Sequence, residues 1–158
     1  MIKILFICLG NICRSPIAEG VFRDLIVKRN LSDAFEIASA STGTYHTGEH
    51  PDPRAVRAAA KVGIDISKHV ARQVTSKDFR DYDFVLGMDA ENMHNLALKR
   101  PEGAKATVRL FASYARPEID EIIEDPWYRD AAAFDETVRL CQIASEAFLK
   151  HLISMKKL

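Results

Sequence analysis

"IKILFICLGNICRSPIAEGVFRDLI", residues 2–26, decides the architecture. Residues 2–9 form a continuous apolar run of strand length, the pattern of a strand covered on both faces. From Ser15 the periodicity turns helical: Ile17, Ala18, Val21, Phe22, Leu25 and Ile26 share one face, with Ser15 read as the cap and Pro16 in the first turn. Further along, "FEIASAS" (35–41) predicts a second strand, residues 42–53 a loop dense in Gly, Thr, His and Pro, and residues 54–62 a helix ending at Gly63. "YDFVLGM" (82–88) predicts a third strand, residues 89–99 a helix that stops before Pro101, and "ATVRLFA" (106–112) a fourth strand. An acidic connection then leads to a last helix over 134–155, with Val138, Cys141, Ala144, Phe148 and Leu152 along its apolar side. Strands alternating with helices predict an α/β fold, a parallel sheet with helices on both faces. No repeat, low-complexity tract or linker divides the chain, so residues 1–158 read as one domain.

Bulk composition narrows the function. Lys+Arg 22 against Asp+Glu 22 gives no net charge, which argues against a nucleic-acid footprint over the whole molecule. The N-terminal apolar run ends at Gly10, too soon for a signal-peptide core, and nowhere do 18 apolar residues follow one another. The expectation is a soluble cytoplasmic protein, with neither nucleic acid nor membrane as a partner. Three cysteines, at 8, 13 and 141, do not suggest a disulfide framework. Cys8 and Cys13 lack a second Cys or His pair at ligand spacing, so no metal and no cofactor are expected. Cys141 lies on a packed helical stripe and reads as core.

In open α/β sheets ligands settle beyond the carboxyl ends of strands, where a loop feeding a helix aims unpaired N–H groups at one point. Cys8 falls there. Six residues on, Arg14 brings a guanidinium able to make two parallel hydrogen bonds to a phosphate-like oxyanion. Gly10 and Asn11 tolerate the left-handed backbone of a tight anion-cradling turn. The nucleotide signature G-x-x-x-x-G-K-[ST] is absent, so the loop suits a lone oxyanion better than a nucleotide. A helix N-terminus beside a basic group favours the thiolate of Cys8. Ser15 either donates a hydroxyl hydrogen bond to that sulfur or only caps the helix. A thiolate facing a bound phosphate points to displacement at phosphorus and a phosphocysteine that water hydrolyses. The bare spacing C-x5-R is weak; its place between a buried strand and a helix start carries the weight.

Expelling an alkoxide or phenolate needs a proton donor. Asp125 in "EDPWY" is the candidate: it follows the fourth strand, Pro126 stiffens it, and Glu118, Asp120, Glu121, Glu124 and Asp130 crowd the segment. Like charges nearby would favour its protonated form. Trp127 and Tyr128 suit the flank of an aromatic substrate. His46 and His50, on the long loop with Tyr45, are alternative donors; His94 and His151 read as surface groups. A phosphocysteine carrier serving sugar transport, or an idle phosphate-binding module, would also place a cysteine after the first strand. Arg14 and Asp125 favour an enzyme, because a carrier has little need of a leaving-group acid.

"CLGNICRSPIAEG", "TGEHPDPRA", "HVARQV" and "EDPWY", in this order, resemble the low-molecular-weight protein-tyrosine phosphatases over essentially the whole chain. The resemblance implies a four-stranded, flavodoxin-like parallel sheet and a phosphatase acting on protein phosphotyrosine and small aryl phosphates, as a monomer. It implies Cys8 as nucleophile, Arg14 as phosphate clamp, Asp125 as acid then base, and Leu9, Gly10, Asn11, Ile12 and Cys13 around the phosphate. It also implies that Asn11, Ser15 and His69 hold the loop, that Asp89 orients Arg14, and that Tyr45, Trp127 and Tyr128 wall the entrance. An adjacent thiol such as Cys13 can capture an oxidised Cys8 as a disulfide, a redox role the resemblance supports. Trp127 stands where animal members usually carry tyrosine. Ile12 stands where relatives acting on phosphoarginine carry threonine, which favours tyrosine phosphate. Arsenate reductases of similar fold need further cysteines between positions 13 and 141, and this chain has none.

Overall fold

The computed structural model describes all 158 residues. β1 (Ile2–Cys8) pairs in parallel with β2 (Phe35–Ser41) from Ile2↔Phe35 to Cys8↔Ser41. On its other side β1 pairs with β3 (Phe84–Gly87), which pairs with β4 (Thr107–Leu110), giving the order β2-β1-β3-β4. The chain leaves β1 for a neighbour on one side and later returns to its other side. That reversal opens a crevice beyond the carboxyl end of β1, the place where ligands settle in such sheets. Residues 9–13 lie there.

Period-two alternation divides the core between two faces. Ile4, Phe6 and Cys8 join the larger cluster, formed with α1 (Arg14–Lys28), α2 (Pro53–Ala60) and α5 (Ala131–Ser154). Leu5 and Ile7 face the smaller one, with Phe79 of α3 (Asp78–Asp81) and Leu96 of α4 (Ala90–Lys99). Phe148 centres the larger cluster, its ring 5.6 Å from Phe22, 5.2 Å from Phe84 and 4.8 Å from Tyr114. Cys141 is fully buried in this layer, as its stripe predicts, and burial pushes its thiol up to about 12.

Several boundaries differ from expectation, each for a local reason. Ser15 does not cap α1: the helix starts at Arg14, Cys13 is the N-cap residue, and no side chain caps it. β3 begins at Phe84 rather than residue 82, because Tyr82 ends α3 and the Asp83 carboxylate accepts the Lys3 N–H at 2.9 Å. β4 stops at Leu110, where residues 111–115 tighten into a 3-10 turn that buries Phe111. α2 starts at Pro53, capped by the Asp52 carboxylate, which accepts the Arg54 N–H at 2.8 Å. α5 starts three residues early, at Ala131, capped by Asp130. No helix is long and apolar enough to cross a membrane.

Candidate active site

The ladder between β1 and β2 runs past the strand ends: Thr42 N–H donates to Cys8 O (3.0 Å) and Gly43 N–H to Leu9 O (3.0 Å). Cys8 is thereby fixed at the mouth of the crevice. The chain then turns through Asn11, whose φ of 59° is left-handed backbone that asparagine tolerates. The N–H groups of Leu9, Gly10, Ile12, Cys13, Arg14 and Ser15 donate to no acceptor in the chain, whereas Asn11 N–H points at Cys8 Sγ, 3.3 Å away. A row of unpaired donors at a helix start is what an anion seeks. A Cβ on Gly10 would lie 3.0 Å from the His46 ring, so any larger residue would oblige that ring to give way by a few tenths of an ångström.

Behind the loop a buried polar network fixes its shape. Arg72 N–H, an unambiguous donor, meets Asn11 Oδ1 at 3.1 Å, so the Asn11 oxygen must face it. Asn11 Nδ2 then donates to Ser15 Oγ (2.7 Å) and Ser39 Oγ (3.0 Å). Ser15 Oγ keeps its own hydrogen for Cys8 Sγ, 3.0 Å away, which accepts it when the sulfur is a thiolate. By the same logic Ser39 donates to Glu19 Oε1 at 2.6 Å. His69 Nε2 lies 3.0 Å from Asn11 Oδ1, closing the network. Asn11 is thus fully buried, its side chain behind the loop and outside the residues that line the cleft, where it makes the loop-holding hydrogen bonds that the resemblance implies.

Arg14 is 1% exposed, yet charged. Burial opposes the charge, but Cys8, Asp89 and Asp125 together hold its pKa above the ordinary arginine value. Nη1 donates to Asp89 Oδ2 (2.6 Å) and to Ile123 O (2.9 Å). Nε and Nη2 make no hydrogen bond within the chain, and this fork edge is the one that suits an oxyanion. Asp89 is doubly engaged, because its other oxygen accepts Asn92 N–H (2.8 Å) in the capping box of α4.

Asp125 lies across the cleft. Its Oδ1 accepts the Trp127 N–H at 3.0 Å and its Oδ2 is 3.6 Å from Arg14 Nη2. Four of the five acidic neighbours that the sequence set around it have partners of their own. Glu121 meets Arg116, Glu124 meets Arg129, Asp120 accepts Ile122 N–H, and Asp130 caps α5. Arg14 supplies the opposite charge beside Asp125, while Asp120, Glu124 and Asp130 line a second hollow with it.

The cleft measures about 530 Å³ and brings together Cys8, Leu9, Gly10, Ile12, Cys13, Arg14, Tyr45, Asp125, Trp127 and Tyr128. His46 joins them, its ring 5.2 Å from Trp127. His50 does not; its Nδ1 is occupied by His69 O at 2.9 Å. Tyr45 and Tyr128, 74% and 93% exposed, stand as free aromatic posts at the rim. Cys13 shares the cleft wall, and burial, then Cys8 and nearby carboxylates, pushes its thiol up. Arg54, outside the cleft, carries no mark in the sequence of its distant partners Arg129, Trp127 and Phe134.

Fold and cleft are together those of an α/β protein with a thiol set in an amide-lined turn. The chain belongs to the low-molecular-weight phosphotyrosine protein phosphatase family, whose model matches residues 3–157. A phosphatase of this name from Schizosaccharomyces pombe is 41% identical over 152 residues, 96% of this chain and 97% of the relative. The crystal structure of a protein tyrosine phosphatase from Entamoeba histolytica, with Hepes in the active site, superposes with a TM-score of 0.92. It has 30% identity and covers both chains completely. A Drosophila arginine phosphatase structure has a TM-score of 0.87 and 32% identity, over 95% of this chain and 97% of its own.

Proposed function

We propose that this chain hydrolyses protein phosphotyrosine and small aryl phosphates without a metal, through a phosphocysteine. The observation that carries the reading is the setting of Cys8 Sγ, which faces the Ser15 hydroxyl and the Asn11 N–H on the wall of a cleft edged by unpaired amides and Arg14. In the first step Sγ attacks phosphorus, the P–O bond to the phenol breaks, and Asp125 gives its proton to the leaving oxygen. Arg14 and the amides hold the equatorial oxygens as charge spreads over them. In the second step Asp125 takes a proton from water, the water oxygen attacks phosphorus, and the S–P bond breaks. Inorganic phosphate and the thiolate result. Ser15, donating to Sγ, stabilises the thiolate as it leaves.

Leu9, Gly10, Ile12 and Cys13 would surround the phosphate, and Tyr45, Trp127 and Tyr128 the aryl ring. Ile12 on the cleft wall supports tyrosine over arginine as the bearer of phosphate. Cys13, on the same wall, is read as the thiol that attacks a peroxide-oxidised Cys8 sulfenic acid, releasing water and leaving a protective disulfide. The chain is read as one phosphatase domain, working as a monomer in the cytoplasm, with phosphotyrosine proteins as its partners.

Cys8→Ser tests the reading. Turnover of p-nitrophenyl phosphate should fall at least about a thousand-fold, while vanadate still binds, as measured calorimetrically. Retained turnover would sink the assignment. Comparing phosphotyrosine, phosphoserine and phosphoarginine peptides tests the substrate class; preference for phosphoarginine would overturn that part.

A further inference from the structure

The acid loop is pinned at two ends. At residue 123 the pin is plain: Ile123 N–H donates to Met88 O (2.9 Å) and Ile123 O accepts from Arg14. At the far end stands Arg54, which lines no part of the cleft. Its Nε and Nη2 fork the Asp52 carboxylate, at 3.1 Å to Oδ1 and 2.9 Å to Oδ2. Asp52 N–H in turn donates to Ile12 O (2.9 Å), so this carboxylate is tied to the phosphate loop. Arg54 Nη1 donates to Arg129 O at 3.1 Å, and Arg129 N–H closes the turn on Pro126 O at 2.9 Å. The guanidinium also lies 4.5 Å from the Phe134 ring and 5.6 Å from that of Trp127. The N–H of Trp127 is the one that Asp125 Oδ1 accepts.

Bonds therefore run from Ile12 through Asp52 to Arg54, and from Arg54 to Arg129 O at the far end of the turn that follows Asp125, with the Trp127 ring beside the guanidinium. We propose that Arg54 is a positioning residue for the reaction: it fixes the second end of the acid loop against the phosphate loop, and so sets where the Asp125 carboxyl stands relative to the leaving oxygen. The inference rests on Asp125 as the acid. Arg54 needs its whole shape for this, one edge for Asp52, one nitrogen for Arg129 O, and a face for two rings; an ammonium has neither fork nor face.

The experiment measures kcat/KM for phenyl phosphate, a poor leaving group, and for 2,4-dinitrophenyl phosphate, a good one. It uses Arg54→Met, Arg54→Lys, Asp125→Ala and the double variant Arg54→Met/Asp125→Ala, with folding checked by circular dichroism. Both Arg54 variants should lose about ten-fold on phenyl phosphate and less than about two-fold on the dinitrophenyl ester, a loss typical of a misplaced catalytic group. Vanadate inhibition should stay within about two-fold of wild type, since the phosphate loop keeps its own network. The double variant should be no slower than Asp125→Ala. An equal loss on both esters, additivity in the double variant, or full rescue by Arg54→Lys would each overturn the inference. If Asp125→Ala itself shows no leaving-group dependence, the acid assignment fails instead, and the two failures are distinguishable. Should Arg54→Met not fold, Arg54→Lys, which keeps the charge, carries the same comparison.

Discussion

Asn11 does more for the site than a loop asparagine ordinarily does. It donates to Ser15 and Ser39 and accepts from Arg72 and His69, all within a space closed to water. Asn11→Ala would strand several buried partners at once, and we expect a loss of about 3 kcal/mol, read as a lower urea midpoint. Activity should fall as well, because Ser15 would then be free to turn its hydroxyl away from Cys8. At Asp125 the prediction is kinetic. Asp125→Ala should slow poor leaving groups far more than good ones, and an equal loss would reassign the acid. Cys8, Arg14 and Asp125 were legible because strand end, helix start and a stiffened acidic loop each leave a local mark. His46, one of two loop histidines weighed as donors, proves a cleft wall, while His50 is spent on a carbonyl. No single sequence distinguishes them, since the difference lies in which way a turn rotates each ring.

At the scale of elements, β1, β2 and the sequence of strand and helix were readable because continuous apolar runs and amphipathic stripes are strong signals. What was missed lies at the caps. Ser15-Pro16 looks like a helix start, yet the first turn is set by the backbone of residue 13, and Ser15 is held by Asn11 and drawn to sulfur. Asp52-Pro53 is the better cap, its signal diluted by the other Gly, Thr, His and Pro residues of the loop. Burial opposes the charge on Asp52, but hydrogen bonds from the Arg54 side chain and N–H hold its carboxyl below the usual range. A depressed folded-state pKa gives stability that is present above the ordinary carboxylate range and lost as pH falls through the depressed value. Asp52→Asn keeps a capping oxygen and removes the charge. It should be less stable than wild type at neutral pH, and the gap in urea midpoints should close on acidification. A gap constant down to pH 2 would contradict this. Asp52→Ala should cost about 1 kcal/mol more from the lost cap.

Across the whole molecule, one sheet separates a large layer rich in aromatic rings from a small, mainly aliphatic one, and the larger holds α5 in place through Phe148. Phe148→Ala should cost roughly 3–5 kcal/mol, measured by urea unfolding, as several rings lose a common neighbour. Cys141, fully buried in that layer, should resist iodoacetamide in the native protein and react once urea unfolds it, as mass spectrometry would show. Turnover should be indifferent to EDTA; inhibition reversed by added metal would remove the metal-free reading. The position of Arg14 has a consequence for selectivity. Its bonds to Asp89 and Ile123 are complete within the chain, so the receptor is stiff from the outset. Such a socket sorts guests by outline: vanadate, whose oxygens surround a centre, should compete for it, and flat nitrate, singly charged like vanadate near neutral pH, should be turned away.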